Sequence, residues 1–220
     1  MTEPAPDVPR LYLVTDRHAT GGRPLAAVVR RALLGLAGTG VPPRAVAVQL
    51  REKDLSGRAL CELAHALRIE TAAAGAQFYV NDRIDVALAV GADGVHLGGE
   101  ALSAADARAI GPALAVGVSA HGLDDVRAAA GRADFAFLGP IYDTPSKRRY
   151  GSPLGAAALI AAAGLGLPLV AIGGIEPAAV GGAVTAGARG VACIRAVMSA
   201  ADPAAAVRAF CEALAAIDRP

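Results

Sequence analysis

Short, almost uninterrupted apolar runs recur along the chain, separated by longer segments rich in Ala, Leu and Arg. A strand with one solvated face alternates apolar and polar residues. Runs that are apolar throughout belong to strands covered on both faces, which is the pattern of a parallel sheet clothed in helices. The runs predict strands at residues 11–15, 46–50, 77–80, 94–97, 114–118, 135–138, 169–172 and 190–194. Ser56 is placed to open a helix, and Gly75 and Gly187 fall where helices should stop before the next strand.

Eight strand-then-helix units in 220 residues predict an α/β single-domain (β/α)8 TIM barrel over residues 11–220. Residues 1–10, with Pro4, Pro6, Pro9, Glu3 and Asp7, read as a flexible leader. A doubly wound open sheet is the competing fold, but it carries a glycine fingerprint after its first strand. Here Gly164-Leu165-Gly166 precedes a strand instead. The long uncharged stretch from Tyr150 to Ile175 is cut by Pro153, Gly164, Gly166 and Pro168 into pieces too short for a bilayer. It reads as a buried helix and a buried strand.

Charge is nearly balanced, with 21 Lys and Arg against 20 Asp and Glu, and Trp is absent, which argues against a nucleic-acid partner. The three cysteines, Cys61, Cys193 and Cys211, lack metal-ligand spacing and read as thiols of a reducing compartment. A cytoplasmic location and no membrane partner are expected.

Barrel chemistry sits at the carboxyl ends of the strands. Those ends carry Asp16-Arg17, Gln49 with Arg51 and Lys53, Asn81-Asp82-Arg83, Gly98-Gly99-Glu100, Ser119, the segment 139–147, Gly173-Gly174 and Ile194-Arg195. Gln49, Arg51 and Lys53 alternate, so an extended chain would set them on one face as a grip for an anion; a charged turn is the plainer alternative. Gly173-Gly174 and Ile194-Arg195 lie where this fold often binds phosphate, and Arg51, Lys53 and Lys147 come from other strands. Two phosphorylated groups are implied, a diphosphate being one option for one of them. Asp82 amid these cations suits Mg²⁺, or else caps the helix that follows. Ser119 and His121 offer no hydrolase triad, and His96 within an apolar run reads as a core imidazole.

Several motifs, in order, resemble the thiamine phosphate synthase and thiazole tautomerase family. They are Leu11-Tyr12-Leu13-Val14-Thr15-Asp16-Arg17, Gln49-Leu50-Arg51-Glu52-Lys53, Asn81-Asp82-Arg83, Gly91-Ala92-Asp93-Gly94-Val95-His96-Leu97-Gly98, Gly117-Val118-Ser119, Gly139-Pro140-Ile141-Tyr142, Thr144-Pro145-Ser146-Lys147 and Ala171-Ile172-Gly173-Gly174-Ile175. The resemblance implies a transferase joining hydroxymethylpyrimidine diphosphate to thiazole phosphate, with Mg²⁺, by dissociative substitution. By resemblance, Gln49 and Ser119 contact the aminopyrimidine, and Arg51, Lys53, Asn81 and Lys147 hold the diphosphate. Arg51, Lys53 and Lys147 would be the catalytic cations. Thr144, Ser146, Gly174, Ile194 and Arg195 would hold the thiazole phosphate, and Asp82 and Glu100 the metal. Two positions depart from the family pattern: Ala101 replaces an Asp metal ligand, and Arg195 replaces a Ser. A tautomerase, or a phosphate-binding relative without catalysis, is the alternative.

Overall fold

Every residue of Val46–Leu50 and of Phe135–Leu138 is buried, which only strands covered on both faces permit. In the computed structural model, which describes residues 7–144 and 152–217, eight parallel strands close into a barrel in chain order. They are β1 (Leu11–Val14), β2 (Val46–Leu50), β3 (Gln77–Asn81), β4 (Gly94–Leu97), β5 (Ala115–Ala120), β6 (Phe135–Leu138), β7 (Leu169–Ile172) and β8 (Gly190–Cys193). Around them run α1 (Leu25–Leu33), α2 (Gly57–Ala74), α3 (Ile84–Ala89), α4 (Ala104–Ile110), α5 (Leu123–Ala129), α6 (Gly155–Ala163), α7 (Val180–Thr185), α8 (Arg195–Met198) and α9 (Pro203–Ile217). Ser56 caps α2 by accepting from Ala59 N, and Gly75 ends it in the left-handed region at φ 70°.

Alternation along the strands separates two cores. Leu11, Leu13, Val46 and Val48 pack outward beneath the helices. Tyr12, Val14, Ala47, Tyr79, Phe135, Phe137, Val170 and Ala192 fill the barrel interior. The rings interlock: Tyr12 lies 5.4 Å from Tyr79, 5.2 Å from Phe135 and 4.9 Å from Phe137, centroid to centroid. Glycine makes the room, since a Cβ at Gly94 would strike the Tyr79 ring and one at Gly117 the Phe135 ring.

Three expectations need correction. Residues 8–10 are not part of a loose leader, because Val8 is buried, Arg10 N donates to Ala45 O, and Arg10 O accepts from Val191 N. Residues 1–6 lie outside the described residues. Second, α6 is not a buried helix: Leu159 and Ala162 face the sheet while Ile160 is 66% exposed. A barrel helix buries only one stripe, and a run with no charges does not reveal which. Third, β2 ends at Leu50, so Arg51 and Lys53 sit in a turn and share no strand face with Gln49.

Candidate active site

Two residues beyond the interior aromatic layer, each strand presents its next inward side chain. Gln49 follows Ala47, Asn81 follows Tyr79, His96 follows Gly94 and Ser119 follows Gly117, in registers that run Gln49 to Tyr79, Asn81 to His96 and His96 to Gly117. These four polar residues form the floor of the barrel mouth. Gln49 Nε2 donates to Asn81 Oδ1 at 2.9 Å, and His96 Nε2 lies 3.0 Å from Ser119 Oγ. Gln49 Oε1 and His96 Nδ1 are buried and lack hydrogen-bond partners among the described residues. A floor with unused polar atoms is primed for a ligand that supplies the missing partners.

The turn after β2 is held from below. Thr15, fully buried, accepts from Arg51 N through Oγ1 at 2.9 Å. Glu52, 5% exposed, accepts from Arg17 N at 3.0 and 3.2 Å and from Arg17 Nη1 at 3.2 Å. Arg17 also grips Asp54 with both guanidinium nitrogens, and with His18 it holds the Asp54 carboxyl well below the usual carboxylate range. Arg17 is thereby spent on the protein. Arg51 and Lys53 are left for the mouth, and both weigh on His96, whose value burial pushes down to about 3 with these two cations adding to it. Both cations thus act electrostatically on the floor.

Asp82 is the only non-glycine residue at positive φ among those described, at 60°. Such strain gathers at functional sites when neighbours over-determine it. Here Asp82 N donates to His96 O at 2.8 Å, Asp82 Oδ1 accepts from Gly98 N at 2.7 Å, and Lys53 Nζ stands 3.7 Å from Oδ2. The helix-cap reading of Asp82 fails, because Arg83 occupies the cap position of α3. Arg83 turns aside to Asp85.

On the opposite rim, Ile141 N donates to Ile172 O and Tyr142 N to Gly173 O, tying the turn after β6 to that after β7. Gly173 and Gly174 have φ of 96° and 65°, and a Cβ on Gly174 would meet Asp143 O at 2.6 Å. Thr144 lies on this rim, half-buried. Ser146 and Lys147 lie outside the described residues. Ile194 precedes α8, which Arg195 opens; the Arg195 side chain is exposed and makes no hydrogen bond or ion pair with another described residue. Glu100 is exposed at the tip of the turn from Gly98 to Ala101.

No group of three His, Cys, Asp or Glu residues able to hold a metal is found among the described residues. An ion such as Mg²⁺ usually takes only one or two carboxylates and completes its shell with water and phosphate oxygens. Asp82, with one carboxylate oxygen fixed by Gly98 and the other facing Lys53, has the right chemistry for such a shared site. Sequence reasoning missed Thr15 and Glu52. Their signal was faint, a Glu set between two cations.

Residues 11–197 match the thiamine monophosphate synthase family. The chain belongs to that family. A relative from Geobacter sulfurreducens is 49% identical over 203 residues, covering 91% of this chain and 92% of its own. The thiamine-phosphate synthase of Moorella thermoacetica is 48% identical over 201 residues, covering 90% and 92%. Among solved structures, a thiamine phosphate pyrophosphorylase from Pyrococcus furiosus superposes with a TM-score of 0.83 at 33% identity, covering 96% of this chain and 97% of that one. The 3-hexulose-6-phosphate synthase structure, at 19% identity and TM-score 0.59, shares the fold alone. No helix among the described residues is long and apolar enough to cross a membrane.

Proposed function

We propose that the mouth of this barrel joins hydroxymethylpyrimidine diphosphate to thiazole phosphate by dissociative substitution, giving thiamine phosphate and diphosphate. The enzyme is a transferase, as its family is. The observation that supports the mechanism is the placing of Arg51 and Lys53 directly after β2, with Lys53 Nζ 3.7 Å from Asp82 Oδ2, next to a buried polar floor of Gln49, Asn81, His96 and Ser119. Charge grows on the diphosphate as its bond to the pyrimidine methylene breaks, and preorganised cations stabilise that charge more than they stabilise the bound substrate.

Gln49 and Ser119 would hold the aminopyrimidine, the unpartnered Gln49 Oε1 accepting from its amine. Asn81 would turn its amide N–H groups to the diphosphate, since its carbonyl oxygen is already taken by Gln49. Lys147 would complete the cationic clamp. Thr144, Ser146, Gly174, Ile194 and Arg195 would hold the thiazole and its phosphate, with the backbone N–H groups around Gly174 facing the anion. Asp82 and Glu100 would hold Mg²⁺ together with diphosphate oxygens, and the bound ion supplies further neutralisation of the leaving group. The nucleophile is the thiazole nitrogen, so no side chain needs to act as a base towards it.

Purified protein incubated with both substrates, with and without Mg²⁺, tests the reading by the appearance of thiamine phosphate. Product formed only with both substrates is expected. Isomerisation of a thiazole phosphate without condensation, or binding without turnover, would overturn it.

A further inference from the structure

His96 is a buried polar ring at the mouth that the transfer reaction leaves without a task. It is 2% exposed, packs 4.2 Å from the Phe137 ring and 6.1 Å from the Phe135 ring, and meets Ser119 Oγ through Nε2 at 3.0 Å. Its Nδ1 is buried with no partner among the described residues. A proton on Nδ1, in either the neutral or the charged ring, would bury an N–H with nothing to accept it. An unpartnered lone pair is the smaller cost, because orphaned N–H groups in folded interiors are rarer than under-used acceptors. The proton therefore belongs on Nε2, which donates to Ser119 Oγ.

We propose that His96 is a positioning residue that sets the polarity of Ser119: its Nε2–H occupies the hydroxyl oxygen as an acceptor, so the Ser119 O–H is left to donate into the mouth. On the same floor but on β2, Gln49 Oε1 is a buried acceptor without a donor among the described residues. A donor and an acceptor lining one floor complement the ring nitrogen and the exocyclic amine of one ligand. Resting on the assignment of Ser119 and Gln49 to the pyrimidine, the pair becomes a filter for aminopyrimidines. A 4-oxo analogue would present N–H to the Ser119 donor and a carbonyl to the Gln49 acceptor, two unpaired clashes of the kind that give strong discrimination.

Two measurements test this. Long-range ¹H–¹⁵N spectra of histidine-labelled, ligand-free protein at neutral pH should show His96 as the neutral Nε2–H tautomer. An Nδ1–H or doubly protonated ring would overturn the proposal, and this arm needs no turnover, so it stands apart from any failure of the synthase assignment. The second is kinetic. His96→Phe removes the donor and should raise KM for the pyrimidine diphosphate about tenfold, the worth of one hydrogen bond, with KM for thiazole phosphate unmoved. His96→Gln, whose amide N–H can replace the donor, should recover most of that loss. In the His96→Phe background, Ser119→Ala should add less than about twofold, because residues acting as a unit do not add. Losses that multiply in full would overturn the proposal, and if His96→Phe does not fold, the tautomer decides alone.

Discussion

Glu52 stands between the two cations of the grip and serves neither of them, accepting three hydrogen bonds from Arg17 with its own side chain only 2% exposed. Glu52→Ala would delete all three and leave the part-buried Arg17 N–H without an acceptor. An orphaned donor costs about 1–3 kcal/mol, and with the lost packing the change should destabilise the fold by about 2–4 kcal/mol. Glu52→Gln keeps a neutral acceptor for that N–H and should cost about half as much. Arg17→Ala keeps the backbone N–H and removes only a partly solvent-exposed guanidinium, so it should cost less than Glu52→Ala. Urea unfolding at neutral pH reads all three. The double variant Arg17→Ala with Glu52→Ala should fall short of the sum by about 0.5–1 kcal/mol, since each change removes the same bond. Activity gives a second reading: folded Glu52→Gln should lose turnover about tenfold, about 1.4 kcal/mol of transition-state stabilisation, as Arg51 and Lys53 lose their foundation. Full additivity in the cycle, or equal destabilisation by Glu52→Gln and Glu52→Ala, would refute the reasoning.

Gly117→Ala would drive a methyl into the Phe135 ring, which Tyr12, Tyr79 and Phe137 already confine, so a loss of about 1–3 kcal/mol is expected in thermal or urea unfolding; wild-type stability would show that the rings can shift. His96 is held at about 3 when folded and titrates at its ordinary 6.5 when unfolded, so its contribution is intact above 6.5 and is lost as pH falls. Between pH 7 and pH 5 only the unfolded chain binds that proton, which should remove about 2 kcal/mol of stability, and His96→Gln should flatten the curve by that amount; an unchanged slope would contradict the assignment. Arg195→Ser should raise KM for thiazole phosphate about tenfold, the excess of a charged over a neutral hydrogen bond, and leave that of the pyrimidine diphosphate fixed. No change in either would place Arg195 in solvent only.

The strands were legible because burial on both faces leaves them mostly apolar, with few polar residues, and Phe135–Leu138, apolar throughout, can hardly be read otherwise. Their ends shifted by a residue or two, as β5 running to Ala120 shows, because the ladder with neighbours decides where a strand stops. Gln49, Asn81 and Ser119 were legible as polar residues at strand ends. Glu52 was not, since its partner Arg17 lies 35 residues away and only the closure of β1 onto β2 brings them together. The positive φ of Asp82 left no mark on composition or spacing. His96 was read as core, and by burial it is; its link to Ser119 depends on strand register, which an apolar run does not encode.

The interlocked rings of Tyr12, Tyr79, Phe135 and Phe137 have a kinetic consequence. They stop the barrel axis directly beneath Gln49, Asn81, His96 and Ser119, so traffic through the floor is closed and the mouth is the one doorway among the described residues. A molecule seated on the floor cannot leave while another sits above it. The pyrimidine, whose expected contacts are the deepest, must then arrive first. With saturating thiazole phosphate present, its release from the ternary complex should be slowed, and steady-state kinetics should follow an ordered rather than a random sequence.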